Sequence, residues 1–257
     1  MGEALRAKDR IDTGPRYVPS DAVRLNHMFR GRDTSEMLAA LFADDMLGDS
    51  AIVSSFGAES AVLLHLIGSI NPSIPVIFLD TGKHFPETLA YRDLLVERIG
   101  LTDMRNIRPD PALLAEKDES GLRWSYDPDG CCDIRKVLPL KTALAPFDAQ
   151  FSGRKAFQAE TRSNLPRFEI AEGRLKVNPL IDWSKDDIEA YIAEHNLPPH
   201  PLVVEGFPSI GCSPCTSKVA PGEDPRSGRW KGWDKTECGI HTSVPDADDN
   251  GANDPVF

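Results

Sequence analysis

Four of the five cysteines in this chain form two close pairs, Cys131-Cys132 and Cys212-Ser-Pro-Cys215. A site that uses all four must bring two distant segments to one point, so the pairs restrict the folds that the chain can adopt. Zinc and iron–sulfur clusters both accept four cysteine thiolates. We expect no signal peptide and therefore a reducing compartment, which argues against structural disulfides.

The adjacent pair favours a cluster over a single metal ion. Side chains of neighbouring helical residues point about 100° apart, so Cys131 and Cys132 reach one tetrahedral ion only with strain, whereas a four-iron cluster offers each a separate corner. A 4Fe-4S cluster is therefore the favoured cofactor, and zinc remains the alternative. Cys238 lies outside both pairs and is the candidate reactive thiol.

Composition describes an ordinary globular protein. The chain has 257 residues and is 40% hydrophobic, which suffices for one large or two small domains. No apolar run approaches the roughly 20 residues of a membrane helix, so we expect a cytoplasmic protein that contacts no membrane. The net charge of −11 argues against nucleic acid as a partner and restricts any anion site to a local basic pocket.

Predicted strands and helices alternate along the chain. The elements expected first are a helix capped by Thr34 and ending near Leu47, strand 51–56, helix 59–67, strand 75–80, helix 86–99 and a weaker strand 104–107. After them we expect a loop or short-helix insertion at 109–130, helix 131–145, strand 148–152, a hairpin-like stretch at 167–178, and helix 186–196 behind the capping box Ser184-Lys-Asp-Asp187. This order predicts one doubly wound, mostly parallel α/β sheet with helices on both faces and its ligand beyond the carboxyl ends of the strands.

Two polar loops follow predicted strands. Ser54-Ser-Phe-Gly-Ala-Glu-Ser60 consists of small residues whose backbone N–H groups can face an anion at the start of a helix. Leu79-Asp-Thr-Gly82 is a comparable loop on the same edge. Such turns also simply connect a strand to a helix, but two of them side by side indicate a nucleotide.

Basic side chains cluster near these loops and near the cysteines. Most surface arginines and lysines are merely solvated, but arginines grip anions best through paired hydrogen bonds. His65 lies in an apolar helical run and is interpreted as a core residue, whereas His84 and His241 are candidate site residues. The basic candidates are Arg135, Lys136, Arg154, Arg162, Arg226 and Arg229.

The motifs in succession resemble those of the bacterial assimilatory adenylylsulfate (APS) reductases over roughly residues 50 to 241. The first loop departs from the Ser-Gly-Gly-x-Asp-Ser form of the related ATP pyrophosphatases, which counts against ATP cleavage. Besides the two loops and the cysteine pairs, the matching motifs are Phe85-Pro-Glu-Thr88, Cys131-Cys-Asp-Ile-Arg-Lys136, Ser152-Gly-Arg154, Thr161-Arg162, Gly211-Cys-Ser-Pro-Cys215, Arg226-Ser-Gly-Arg-Trp230 and Glu237-Cys-Gly-Ile-His241.

The resemblance implies an adenine nucleotide alpha hydrolase-like fold and the reduction of APS to sulfite and AMP. Cys238 would attack the sulfate sulfur to form an S-sulfocysteine, and thioredoxin or a glutaredoxin-like protein would release sulfite. It also implies a 4Fe-4S cluster on Cys131, Cys132, Cys212 and Cys215. The substrate-binding residues expected from it are Ser54, Ser55, Phe56, Gly57, Glu59, Ser60, Leu79, Asp80, Thr81, Gly82, Lys136, Gly153, Arg162, Arg226, Arg229 and His241.

This assignment predicts three segments in the chain. Residues 1–20 form a disordered N-terminus, 21–221 the nucleotide- and cluster-binding α/β domain, and 222–257 an irregular, mobile C-terminal arm that carries the nucleophile. A homo-oligomer is compatible with the sequence.

Three alternative functions remain. One is a phosphoadenylylsulfate (PAPS) reductase, which in the family lacks both cysteine pairs. Another is a cluster-containing tRNA-modifying ATP pyrophosphatase, which the missing loop glycine and the acidic charge oppose. The third is a non-enzymatic iron–sulfur sensor, which leaves the unpaired Cys238 unexplained.

Overall fold

The computed structural model describes residues 15–158 and 162–241. Its strands are β1 (Ser50–Val53), β2 (Val76–Leu79), β3 (Met104–Ile107), β4 (Ala149–Ser152), β5 (Phe168–Ala171) and β6 (Arg174–Val177). Its α-helices are α1 (Pro19–Met28), α2 (Thr34–Ala43), α3 (Ser60–Gly68), α4 (Pro86–Ile99), α5 (Pro111–Lys117), α6 (Pro128–Cys132), α7 (Leu138–Leu144) and α8 (Lys185–Glu194).

The strands form one sheet in the order β3-β2-β1-β4-β6-β5. All neighbours are parallel except β5 and β6, which form an antiparallel hairpin at one edge. Because β1 pairs with β2 on one side and with β4 on the other, the strand order reverses between β1 and β4. The expected doubly wound, mostly parallel sheet is confirmed.

Alternating side chains of the central strands supply two apolar layers. Ile52, Val76 and Phe78 belong to the larger core cluster, whereas Ala51 and Ile77 belong to a second one. Successive side chains of a strand point to opposite faces, so each layer requires its own cover of helices. This arrangement explains why β2 is buried along its whole length.

The N-terminal part of the described chain differs from the prediction. Helix α1 was not predicted, yet Pro19 stands in its first turn and Ala22 and Leu25 are buried. Helix α2 is capped by Asp33 rather than Thr34, because the Asp33 carboxylate accepts hydrogen bonds from two backbone N–H groups of the first turn. The segment predicted to be disordered is 1–20. Its positions 1–14 lie outside the described residues.

The predicted helix 131–145 is a succession of three pieces. Helix α6 begins at Pro128 and ends at the adjacent cysteines, a π-helical turn covers Asp133–Val137, and α7 follows. Pro139 has no N–H for the carbonyl of Arg135, so the regular hydrogen-bond ladder cannot run through this point. The backbone nevertheless keeps right-handed helical φ and ψ at Cys132, Asp133, Val137 and Leu138, so the cysteine pair lies near the start of a helical segment that continues through the π-helical turn.

Beyond α8 the chain contains only short 3-10 turns within the described residues. Helix α8 starts at the predicted capping box, where Ser184 and Asp187 exchange hydrogen bonds. The irregular segment that follows α8 returns to the carboxyl edge of the sheet through a bridge between His84 and Cys212. A second bridge joins Thr216 to Arg229 across the boundary expected between 221 and 222, and mobility of 222–257 stays a prediction.

No helix in the described ranges is long and apolar enough to cross a bilayer.

His200 joins the segment that follows α8 to α4. Its side chain is fully buried, its Nδ1 accepts a hydrogen bond from the Leu202 N–H at 3.2 Å, and its Nε2 lies 3.1 Å from the Thr88 hydroxyl. Because Nδ1 accepts, Nε2 carries the proton of a neutral imidazole. Burial lowers the pKa of His200 to about 4.

Protonation of His200 should destabilise the fold. The unfolded chain binds a proton near the ordinary pKa of 6.5 and the folded one only near 4, so stability is complete above pH 6.5 and falls as the pH drops through this window. We expect a loss of about 1 kcal/mol from this group between pH 7.5 and 5.5. Urea unfolding of His200→Gln should show a weaker pH dependence than wild type. His27→Gln, on the exposed side of α1, is the control, and equal slopes for wild type and His200→Gln would contradict the prediction.

Candidate active site

A cavity of about 360 Å³ lies over the carboxyl ends of β1, β2 and β4. It opens where the strand order reverses between β1 and β4, which is the place that a doubly wound sheet offers to a ligand. The ligand position predicted from the alternating elements is therefore the position of this cavity.

The first polar loop lines the cavity through small side chains and backbone. Ser54 Oγ accepts a hydrogen bond from the Phe56 N–H at 3.2 Å, and Phe56 has a left-handed φ of 49°. This turn directs the Phe56 ring into the core, where it meets Phe78 edge to face at 5.6 Å. The side chain of Phe56 is therefore core, and the expected contact of this residue with substrate stays a prediction. The loop residues on the cavity wall are Ser54, Ser55, Gly57, Glu59 and Ser60.

The second polar loop contributes less than expected, because only Leu79 of its residues lines the cavity. Asp80 accepts hydrogen bonds from the Gly82 N–H at 3.1 Å and from Arg108 at 3.0 Å, outside the cavity. Thr81 is fully buried, and its hydroxyl lies 3.3 Å from Cys212 Sγ. Asp80, Thr81 and Gly82 thus do not line this cavity, and their expected contact with substrate stays a prediction.

The four cations expected to bind substrate all line the cavity, but they have different partners. Arg162 and Arg226 form ion pairs with the carboxylate of Glu237 at 2.7 and 3.2 Å. For Lys136 and Arg229, no carboxylate of residues 15–158 and 162–241 lies within ion-pairing distance, and the buried Nε of Arg229 has no hydrogen-bond partner there. Gly153 lines the same cavity, whereas the side chain of His241 lies outside the described part.

A second group of cations forms the floor of the cavity and was missing from the expected substrate contacts. Arg154, Lys155 and Lys176 are all less than a tenth exposed. Lys155 pairs with Glu59 at 2.7 Å, and Lys176 lies 3.8 Å from Glu169. Burial, followed by the charges of Arg154 and Arg162, lowers the pKa of Lys176 to about 7. Arg154 and Lys155 lie just after the end of β4, and this position is the sequence signal that indicates a place at the cavity. Lys176 has no such signal.

Cys238 is buried at one end of the cavity and contacts Cys132 and Trp230. A hydrogen bond from the Cys132 thiol lowers the pKa of Cys238 well below its ordinary value, despite the opposing effect of burial. The Lys136 ammonium, the backbone N–H of Ile240 and the Arg229 guanidinium act in the same direction. Cys238, Lys136 and Arg229 therefore belong to one site.

The other four cysteines line a second, smaller cavity next to the first. Trp230 and Lys136 line both cavities and so form the partition between them. Burial raises the pKa of Cys131 to about 11. Within residues 15–158 and 162–241, no group of three or more His, Cys, Asp or Glu side chains is arranged to hold a metal ion. The two cysteine pairs thus line one cavity, and their role as ligands stays a prediction that is taken up below.

The fold and the cavity together define an α/β protein with a cavity at the carboxyl edge of a doubly wound, mostly parallel sheet. Residues 49–218 match the phosphoadenosine phosphosulfate reductase domain, so the chain belongs to that family. A Mesorhizobium japonicum protein named adenosine 5'-phosphosulfate reductase is 55% identical over 238 residues, 93% of this chain and 94% of that protein. A Gloeobacter violaceus protein named phosphoadenosine 5'-phosphosulfate reductase is 41% identical, over 86% of this chain and 95% of that protein.

The solved structures extend the likeness to the fold alone. A phosphoadenylyl-sulfate reductase from Candida auris, in a phosphate complex, has a TM-score of 0.66 at 24% identity and covers 80% of this chain and 100% of its own. An FMN adenylyltransferase from Candida glabrata has a TM-score of 0.51 at 15% identity and covers 75% of this chain and 71% of its own. The family expected from the motifs and the expected fold are both confirmed.

Gly211 leaves the space that Arg229 occupies. A Cβ at position 211 would lie 2.2 Å from Arg229 Nη2, so Gly211→Ala should displace the guanidinium and reduce stability by about 1–3 kcal/mol. In an Arg229→Ala background the same change should cost less than about 0.5 kcal/mol, since the obstructing atoms are gone.

Urea unfolding of the four proteins in this cycle measures the coupling. Gly153→Ala is the matched control, because a Cβ there would make an ordinary contact of 3.6 Å with Leu63. Equal costs of Gly211→Ala in both backgrounds would show that Arg229 is not the obstructing group.

Proposed function

We propose that this chain is an oxidoreductase that reduces adenylylsulfate (APS) to sulfite and AMP in sulfate assimilation. The observation that carries the proposal is the joint position of Cys238, Lys136 and Arg229 at one end of a nucleotide-sized cavity. A thiol beside two cations without carboxylate partners in the described residues suits attack on an anionic sulfate ester. The name of the Mesorhizobium japonicum relative supports APS as the substrate.

The cavity has regions that fit the parts of APS. Val53, Leu63, Leu140 and Phe157 contribute apolar surface for an adenine ring. The loop from Ser54 to Ser60 ends at the N-terminus of α3, where backbone N–H groups and the helix dipole favour a phosphate. The sulfate group then lies toward Lys136 and Arg229, which are next to Cys238.

In the first step the Cys238 thiolate attacks the sulfur of the sulfate group. A sulfur–sulfur bond forms, the bond from sulfur to the bridging phosphate oxygen breaks, and AMP leaves with the electron pair. Negative charge develops on the departing phosphate oxygen, so the fixed charges of Lys136 and Arg229 stabilise the transition state more than the bound substrate. The product on the enzyme is S-sulfocysteine.

In the second step a dithiol protein of the thioredoxin or glutaredoxin type supplies two electrons. Its thiolate attacks Cys238 Sγ and expels sulfite, and its second thiol then resolves the mixed disulfide to regenerate Cys238. We place the reaction in the cytoplasm, where such dithiols are kept reduced.

The four paired cysteines fit a 4Fe-4S cluster by their chemistry and position. All four line one small cavity, and the Thr81 hydroxyl lies 3.3 Å from Cys212 Sγ, where it can donate a hydrogen bond to a ligand sulfur. Lys136 and Arg135 also line this cavity and offset the negative charge of four thiolates. A bound cluster would keep these four thiolates metal-coordinated and leave Cys238 as the free nucleophile.

Anaerobically purified protein should be brown and contain about four irons per chain. Replacement of any one of the four paired cysteines by serine should remove iron and activity together, because the site then lacks a thiolate ligand. Iron analysis and visible absorption measure this, with Cys238→Ser as the variant that should retain the iron. A colourless, fully active protein with one zinc per chain would exclude the cluster.

Without a reductant, the enzyme should turn over once with APS. Wild type should release about one AMP per active site and gain a sulfonate mass on the peptide that contains Cys238. Cys238→Ser should release no sulfite but should keep its affinity for APS. Added thioredoxin should restore multiple turnovers of the wild type.

The same assay compares APS with PAPS through kcat/KM at identical salt. We expect a large preference for APS, because both cysteine pairs are present. A preference for PAPS would change the assigned substrate. In the single-turnover assay, an adduct on another cysteine, or turnover by Cys238→Ser, would contradict the assignment of Cys238 as the nucleophile.

A further inference from the structure

We propose that Asp118 is a positioning residue of the cysteine site: it fixes Arg135 against the loop that supports Cys212 and so holds the two cysteine pairs together. Asp118 belongs to the polar insertion 109–130, to which the sequence assigned no task beyond a loop or short helix. The inference deepens the proposed function and rests on it for the identity of the metal group.

Asp118 and Arg135 form a buried ion pair. The side chain of Asp118 is fully buried, and that of Arg135 is 9% exposed. Asp118 Oδ2 accepts hydrogen bonds from Arg135 Nη2 at 2.6 Å and from Nε at 3.1 Å, and Oδ1 accepts one from the Arg123 backbone N–H at 2.8 Å. A carboxylate is costly to bury unless such bonds are kept, so the pair fixes the insertion on the π-helical turn that contains Arg135.

Arg135 extends this connection from the first cysteine pair to the second. It lies about one helical turn after Cys131, and both residues line the cysteine cavity. Arg135 Nη1 donates a hydrogen bond to the Thr81 carbonyl at 2.8 Å, and the Thr81 hydroxyl lies 3.3 Å from Cys212 Sγ. One guanidinium group therefore joins the helical segment of the first pair to the loop that contacts the second pair.

The loop that contains Thr81 is also bound to the second cysteine segment and to the insertion. The Ser213 N–H donates to the Lys83 carbonyl at 2.8 Å, and His84 forms a bridge with Cys212. Lys83 Nζ donates to the Gly121 carbonyl at 2.5 Å. The insertion thus contacts the helical segment after the first cysteine pair and the loop beside the second pair.

Asp118 acts on the cysteine site through Arg135. It lines neither the substrate cavity nor the cysteine cavity, whereas Arg135 lines the latter. Without the Asp118 carboxylate, the guanidinium would be a buried charge without its partner and should move away from the Thr81 carbonyl. The two cysteine segments should then separate more readily and release a bound metal faster.

The test measures metal loss from the anaerobic holoenzyme. Asp118→Asn preserves the size of the side chain but removes its charge, and it should accelerate the loss of iron to excess bathophenanthroline about tenfold or more. Arg135→Met should have a similar effect. The double variant should lose iron no faster than the faster single variant, because both changes break the same connection.

A spectroscopic readout separates positioning from mere retention of iron. Visible circular dichroism reports the geometry of the cysteine ligands around the iron that remains bound. We expect the spectrum of iron-loaded Asp118→Asn to differ from that of the wild type, because the ligand segments are held less closely.

Two control variants keep the result specific. Asp103→Asn removes an exposed pair of hydrogen bonds with Arg105 and should leave the rate of iron loss unchanged. Leu41→Ala creates a cavity in the larger apolar core, where Leu41 is fully buried, and lowers global stability. It should change the rate of iron loss by less than about twofold, since it is remote from the cysteines.

Equal rates of iron loss in the wild type and Asp118→Asn would overturn the proposal. An acceleration in Leu41→Ala as large as that in Asp118→Asn would also overturn it, because global stability would then explain the effect.

A failure of the proposed cluster gives a different result. Zinc in place of iron would contradict the cluster, and the rate of zinc loss to a chelator would then test Asp118 in the same way. A wild type without metal would also contradict the cluster. In that case alkylation of Cys212 by iodoacetamide should be about tenfold faster in Asp118→Asn, and equal alkylation rates would overturn the role of Asp118.

Discussion

Parallel pairing of β1 with β4 is the contact on which the site depends. From β1 the chain proceeds outward to β2 and β3, and β4 then returns to the opposite side of β1. The loops after β1 and β4 therefore leave the sheet in diverging directions, and a crevice opens between them. Ser54 on one wall and Gly153 on the other face the cavity because their strands are neighbours in register.

An acidic chain builds a basic cavity by pairing most, but not all, of its buried cations. Lys155 is matched by Glu59, and Arg162 is matched by Glu237. Such pairing lowers the cost of burying the charge, and it leaves those groups less able to attract a ligand. Lys136 and Arg229 lack a matching carboxylate within the described residues, so attraction for an anion concentrates next to Cys238. The net charge of −11 is therefore no guide to the charge of the site.

The irregular arm joins two chemistries that are distant in the sequence. Trp230 adopts a left-handed φ of 48°, and its backbone N–H donates to the Cys215 carbonyl at 3.1 Å. Its ring lies between the cavity of the paired cysteines and the cavity that contains Cys238. Trp230, Lys136 and the contact of Cys132 with Cys238 therefore connect the two cavities.

The amino-acid sequence by itself determined the sheet class, most strand and helix positions, the convergence of the cysteine pairs and the loop from Ser54 to Ser60. These features follow from local periodicity, capping residues and ligand chemistry, which a single sequence records. Helix α1 was missed because its apolar face is short. The π-helical turn was missed because Pro139 shows that one helical hydrogen bond is lost but does not show how the neighbouring hydrogen bonds rearrange. The direction of Phe56 into the core also required the structure, since this residue follows β1 in a loop whose left-handed φ of 49° the sequence does not reveal.

Only the tertiary structure decided which partner each polar group received. Asp80 and Thr81 belong to a loop motif that reads as a nucleotide site, yet Arg108 and Cys212 engage them away from the cavity. Arg162 and Arg229 look equivalent in the sequence, but Glu237 reaches the first and no described carboxylate reaches the second. The physical reason is that ion pairs and hydrogen bonds act over a few ångströms, so residue type determines what a group can bind and the fold determines what lies within its reach.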